Sequence, residues 1–344
     1  MKKLLLAVCA FVFVGCGFAQ EVAEVMQEIQ DAQTAQTAPV DIPAQDDDEP
    51  RIPYSYWTQI LLSDEMRAFE EEHALPEDKA RYLVFGAFIP THNRESSRVF
   101  ALRMYGEGRL TAERLLHDSW GIINHETALT QLTRLATADG QTPVADDIFR
   151  RFVQNGRTHP LTSDEVVNPN FDMTGLENVF NVSMNRALDD QMLIDSLMLA
   201  MQLPEYVRDD VIHEVALLNL MERVNSGLEA VEGAKTFLTG VFEFTVEELL
   251  AIPTLAAWDY GRAAFIARYA VEAGFLQEDE TWPYLKMAAD RAAASYSCWR
   301  EYAAAHTLGR ALAFGNPSWD RIAPMDYLLN HYASPFQITP FHLE

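Results

Sequence analysis

The chain is 344 residues long, with 26 basic against 51 acidic side chains and a formal net charge of −25. A body this acidic excludes nucleic acid as a partner, since binding by counterion release needs clustered Lys and Arg, and beyond Lys2 and Lys3 the lysines are only Lys79, Lys235 and Lys286. It would also be repelled by an anionic membrane surface, so the charge reads first as a solubilising coat and only second as a site for a cationic partner.

Residues 1–19 have the layout of a secretory signal peptide: Lys2 and Lys3, an apolar run from Leu4 to Val14, then Gly15-Cys16-Gly17-Phe18-Ala19. Eleven apolar residues make a helix of about 16 Å, too short for a hydrocarbon core of about 30 Å. Two cleavage sites compete. Gly17 and Ala19 suit ordinary cleavage before Gln20, whereas Phe13-Val14-Gly15-Cys16 resembles a lipobox and makes Cys16 the acylation candidate. The expected location is the periplasm or cell envelope, with membrane attachment only through a lipid at Cys16. Residues 20–50, rich in Gln, Ala and acid and including Asp46-Asp47-Asp48-Glu49, read as a disordered linker, a leash spanning on the order of 30 Å. Cys9 leaves with the signal and Cys16 is removed or acylated, which leaves Cys298 and no internal disulfide. Residues 51–344 must then form one domain stabilised by its core.

From Arg51 onward the apolar period is helical. Ser63 should cap a helix to about Glu72. Asn124 should cap one to Ala138, with Leu129, Leu132 and Leu135 on one face and Asp139-Gly140 as its end. The stretch from 141 to 185, punctuated by Gly156-Arg157-Thr158-His159-Pro160 and Asn168-Pro169-Asn170, reads as a loop-rich excursion with one or two short helices, a variable insertion or a lid. The Met- and Leu-rich run Met184 to Met201 reads as core filling, with a pliable binding surface as the alternative. Thr245 and Glu248 form a capping box before a short helix stopped by Pro253. The next helix spans about 255–273, with Gly274 as its left-handed end. Pro283 should kink the pattern from Glu278 to Tyr296 or push its start later, and Ser297 should cap a last long helix to Phe314. No two-residue alternation of the sheet kind occurs. The predicted fold is all-α, a multi-helix bundle behind a disordered N-terminal leash.

Chemistry-bearing residues gather on two of these helices. At about 100° per residue, Trp258, Arg262, Phe265 and Tyr269 share a face with Asp259 beside Arg262, and Trp299, Tyr302, His306 and Arg310 share another. If the faces meet, aromatic walls surround two arginines, an aspartate and a histidine, a pocket for an anionic or aromatic ligand. The competing reading is a satisfied core, in which Asp259 and Arg262 pair and Arg stacks on Trp.

Metal hydrolysis has thin support. His92 and His117-Asp118 resemble a His…His-Asp pattern, but a chain with nine histidines supplies such a dipeptide by chance. His125-Glu126 and His213-Glu214 begin like zinc-protease helices and lack the second His four residues on. No Gly-x-Ser-x-Gly, phosphate-cradling glycine loop or cysteine pair occurs, and Cys298 is expected to be a small buried residue at a helix start. No metal and no cofactor is expected.

Trp120-Gly121-Ile122, Trp258-Asp259-x-Gly261-Arg262, Ser297-x-Trp299, Gly309-Arg310 and Ser334-Pro335-Phe336…Pro340-Phe341, in this order, resemble the bacterial family DUF1266 over residues 117–341. The chain departs from that pattern in having Phe336 and Phe341 where the family usually shows Trp, which implies aromatic packing in place of an indole hydrogen bond, and at Pro283. The resemblance implies a mostly helical domain with no established activity or cofactor. The expected function is a non-enzymatic module binding a protein or an anionic small molecule through Trp120, Trp258, Asp259, Arg262, Trp299, His306 and Arg310. The alternative is a hydrolase with an Asp/His/Arg pocket between the helices at 255–273 and 298–314.

Overall fold

The computed structural model describes residues 59–103, 108–157, 159–168, 170–314 and 324–342. Both signal cleavage sites, Cys16 and the 20–50 linker lie outside them. Sixteen α-helices and no strand occur among the described residues, so the protein is all-α.

The helices start where short polar side chains stand ready to take up free backbone N–H groups. In α1 (Asp64–Glu72) the Ser63 hydroxyl accepts from the Met66 N–H. The short helices α2 (Glu77–Val84) and α3 (Phe88–His92) follow, and α4 spans Gly108–Trp120. Asn124 and Thr127 form a reciprocal cap on α5 (His125–Ala136). The left-handed residue ending α5 is Ala138, at φ 61°, and not Gly140. Gly140 serves another purpose: a Cβ there would lie 2.7 Å from both carboxylate oxygens of Asp259.

The described residues of the 141–185 segment include irregular backbone at 154–157, 159–162, 167–168 and 170–176, beside α6 (Thr142–Ile148, running on through a π turn over Phe149–Val153), α7 (Ser163–Val166) and α8 (Glu177–Asp189). It is anchored to the rest of the fold, because Val144, Ile148, Phe149, Phe152, Leu161 and Leu176 enter the main core. After α9 (Gln191–Ala200), α10 runs 35 residues from Arg208 to Phe242, about 50 Å at 1.5 Å per residue. It packs along α8 and α14 (Trp299–Phe314) and ends on Glu243 in the left-handed conformation. The short α11 (Val246–Leu250) carries the Thr245–Glu248 capping box.

The centre of the bundle is α12 (Ala257–Glu272), in which every residue from Ala257 to Ala270 is buried. Helices α4, α5, α13 (Glu278–Ser295) and α14 pack around it. Its alanines and glycine permit close crossings. A Cβ on Gly309 of α14 would sit 2.8 Å from the Leu255 carbonyl, and one on Gly86 would sit 2.5 Å from the Ala264 Cβ. Gly274, at φ 75°, follows α12 as its left-handed turn. Pro283 does not delay α13, whose Gln277–Glu280 cap fixes the start at Glu278. Nor does Ser297 cap α14: its N–H and hydroxyl both donate to Glu301, and the helix begins at Trp299. The chain closes through α15 (Pro324–Asn330) and α16 (Pro335–Ile338).

Candidate functional site

The crossing of α12 and α14 brings Trp258, Asp259, Arg262, His306 and Arg310 together, and α4 adds Trp120. The Arg262 guanidinium lies 4.7 Å from the Trp258 ring centre and 5.3 Å from that of Trp120. Arg310 sits 6.0 Å from Trp258 and 5.5 Å from Phe314. The Trp258 indole N–H donates to Gln141 Oε1 at 2.9 Å.

Asp259 is 0 % exposed and fully engaged. Its carboxylate accepts the N–H groups of Gly140 (3.1 Å), Gln141 (3.3 Å) and Thr142 (3.1 Å), the Thr142 hydroxyl (2.7 Å), and the Arg262 guanidinium. The carboxylate thus sits at the start of α6 and takes up N–H groups that the helix itself leaves without partners. Burial pulls the Arg262 guanidinium below its usual range, and the adjacent Asp259 charge works against that pull. A carboxylate holding five donors without solvent access has no capacity left to abstract a substrate proton.

The His306 ring stacks on Phe88, with centres 4.0 Å apart and planes 7° apart, and meets Trp258 edge-on at 5.1 Å. Burial, reinforced by the Arg310 and Arg262 charges, pushes its pKa down to about 3. At neutral pH it is an uncharged plate, and its Nε2 has no hydrogen-bond partner. Its packing follows from Gly261, where a Cβ would crowd the ring at 3.2 Å.

Trp299 is not brought to this group. It stacks on Phe336 at 4.3 Å and 7°, meets Phe341 at 4.8 Å and 90° and Phe85 at 4.7 Å, and donates its N–H to the Thr339 carbonyl at 2.7 Å. The two phenylalanines thus form the aromatic packing that their replacement of Trp implied. Cys298 is exposed, contrary to the expectation of burial, because it precedes the first turn of α14 and the core begins at Trp299. His117 pairs with its neighbour Asp118 at 2.7 Å and His125 with Glu280 at 2.9 Å, both at the surface. Among the described residues no group of three or more His, Cys, Asp or Glu is placed to hold a metal ion. The Met-rich run splits: Ile194 and Met198 fill a small core while Met192 and Leu199 face solvent.

Open space lies elsewhere. A cleft of about 340 Å³ is formed where α1, α3 and the irregular segment 93–101 meet α15 and α16. Its walls include Thr91, Ser96, Ser97 and Tyr327, all buried as residues, with Arg67, Arg98 and Tyr332 at the rim. Ser96 is occupied, donating to Glu70 at 2.5 Å and accepting from the Arg98 N–H at 3.1 Å. No sequence motif announces this cleft, because its residues come from two stretches more than 200 positions apart and each is ordinary in its local context.

A family model described as a protein of unknown function (DUF1266) matches residues 115–341. The group of half-buried Trp120 with buried Trp258, Arg262 and Arg310 lies within the matched segment. The cleft is shared between it and the preceding part of the chain. No curated protein and no solved structure matches.

Proposed function

The chain belongs to the DUF1266 family, and we propose that within it this protein is a non-enzymatic binding module of the cell envelope, taking a small ligand in the cleft between α1, α3, α15 and α16. The observation that carries this reading is the division of labour between the two sites. The side chains suited to acid–base work, Asp259 and His306, are spent inside the core, one on five donors and the other as a neutral stacked ring. The cleft instead offers open space beside the hydroxyls of Thr91, Ser97 and Tyr327, and its volume falls in the range of small-ligand pockets. This favours binding over a hydrolase built on the Asp/His/Arg group. The envelope location rests on the signal-like pattern of Lys2, Lys3, Leu4 to Val14 and the Gly15–Ala19 segment.

Native mass spectrometry of the protein purified from its own cells tests both halves. The expected spectrum shows a chain starting at Gln20, or at an acylated Cys16, with a small-molecule adduct released on gentle activation. A chain that keeps residues 1–19 overturns the export assignment, and a bare mature chain overturns the small-ligand assignment.

A further inference from the structure

We propose that the cleft recognises a neutral, polyhydroxylated ligand of sugar size, through the hydroxyls of Thr91, Ser97 and Tyr327 and the ring of Tyr332. The inference rests on the cleft being the ligand site and adds the chemistry of what enters it.

The first argument is hydrogen-bonding capacity. Thr91, Ser97 and Tyr327 are 2 %, 5 % and 2 % exposed, and all three line the cleft. None of the three hydroxyls has a hydrogen-bond partner among the described residues, and none is among the buried polar atoms sealed from solvent. A hydroxyl held by its backbone and left open on one side both donates and accepts, as a sugar hydroxyl does. Tyr327 keeps its proton across the physiological range, since burial, with Glu70 adding to it, raises its pKa to about 12.

The second argument is charge. The cleft contains or borders several ionised groups, but each has a counterpart within the protein. Glu70 takes the Ser96 hydroxyl and lies 3.7 Å from Arg98. Glu95 lies 3.9 Å from the buried Arg268. Arg67 donates to the Leu62 carbonyl at 2.9 and 3.3 Å and lies 3.4 Å from Asp64. An anionic ligand would need a guanidinium fork that is free, and a cationic one a free carboxylate. Apart from the outer side of the Arg98 guanidinium at the rim, what remains open is neutral and bidirectional.

The third argument is the rim. Tyr332 is 81 % exposed, and its ring is propped on His331, which in turn stacks on Tyr327, with centres 4.7 and 5.3 Å apart. A propped aromatic plate beside a hydroxyl-lined floor suits the two sides of a pyranose, whose C–H face packs on a ring while its hydroxyls seek partners.

The test is saturation-transfer NMR on the full chain with D-glucose, N-acetylglucosamine and maltose, beside acetate, inorganic phosphate and glycine betaine as charged probes. Transfer to ring protons of at least one sugar is expected. The nearly isosteric double variant Thr91→Val/Tyr327→Phe removes two hydroxyls without altering shape and should weaken that sugar about tenfold, the equivalent of two neutral hydrogen bonds. Tyr332→Ala, at an exposed position, should weaken it while leaving the melting temperature unchanged. If a charged probe shows transfer and the sugars do not, the ligand class is overturned and the cleft stands as a binding site. If no probe shows transfer, the ligand class and the cleft reading both fall. Sugar binding that is indifferent to all three substitutions places the sugar elsewhere and overturns the proposal.

Discussion

At the scale of single residues, the histidine within the buried group acts as a liability of the fold in acid. His306 is neutral in the folded protein with a pKa of about 3, against an ordinary value near 6.5 that the unfolded chain regains. The folded-state value is depressed, so the unfolded chain binds the extra proton first as pH falls. The associated stability is intact above about pH 6.5 and is lost progressively towards pH 3. By pH 4 this single group should remove about 3 kcal/mol. Glu95 and Asp146, whose carboxyls burial raises, act in the opposite direction, but equally in the protein and in a His306 variant. In His306→Phe the ring keeps its stack on Phe88 and the unpartnered Nε2 disappears. Urea denaturation at pH 7 and pH 4 should therefore show a loss smaller by about 3 kcal/mol in the variant. Equal losses in the two proteins would show that His306 does not titrate on unfolding. A catalytic histidine would instead need a pKa near the working pH and reach to a substrate, and this one has neither.

At the scale of elements, the Asp259–Arg262 pair is a joint between helices. Asp259 collects three successive N–H groups at the start of α6 and fixes that helix to α12, while Gly140 leaves the room for its carboxylate. Removing one partner of a buried ion pair costs about 3–5 kcal/mol, because the other charge stays behind unpaired. Asp259→Ala should thus lower the melting temperature by on the order of 10 °C. Adding Arg262→Ala should recover part of that, since it removes the stranded guanidinium and leaves only the backbone donors unmet. A pair kept only for a ligand would leave the melting curve of the single variant in place. Much at this scale was legible in the sequence: Ser63, Asn124 and Thr245 marked helix starts because a capping side chain acts within three residues of itself. The position of the seven-residue α6 and its π turn was hidden in a segment read as loop-rich with one or two short helices, because its helical start depends on Asp259, more than 110 positions away. For the same reason the spacing on α12 and α14 showed which side chains share a face but could not show whether Asp259 had free capacity. Helical spacing put Trp299 with His306 and Arg310, yet at the start of α14, about two turns before His306, it meets Phe336 and Phe341.

At the scale of the whole molecule, the apolar interior is unevenly shared. The main core runs from α1 to α16 around α12, whereas the C-terminal end of α8, α9 and the first turns of α10 close on a separate cluster of Ala187, Ile194, Met198, Val211, Ile212, Val215 and Ala216. Composition and periodicity establish that a helix has an apolar face. They do not say which of two cores that face joins, so the Met-rich run gave no sign of this division. Helix α9 offers its small core only Ile194 and Met198 as fully buried residues and leaves Met192 and Leu199 in water. Opening it exposes little apolar surface and breaks one short helix, whereas opening α12 dismantles contacts with at least four others. Local unfolding free energy follows that difference, from near zero at weakly packed elements up to the global value in the core. Native-state hydrogen exchange should accordingly find the amides of Gln191–Ala200 exchanging through local opening, largely independent of low denaturant concentrations. Those of Phe265–Tyr269 and Ala303–Leu308 should exchange only through global unfolding, several orders of magnitude more slowly. Equal protection across the three segments would mean that the small cluster is cooperative with the main core and that the molecule unfolds as one unit.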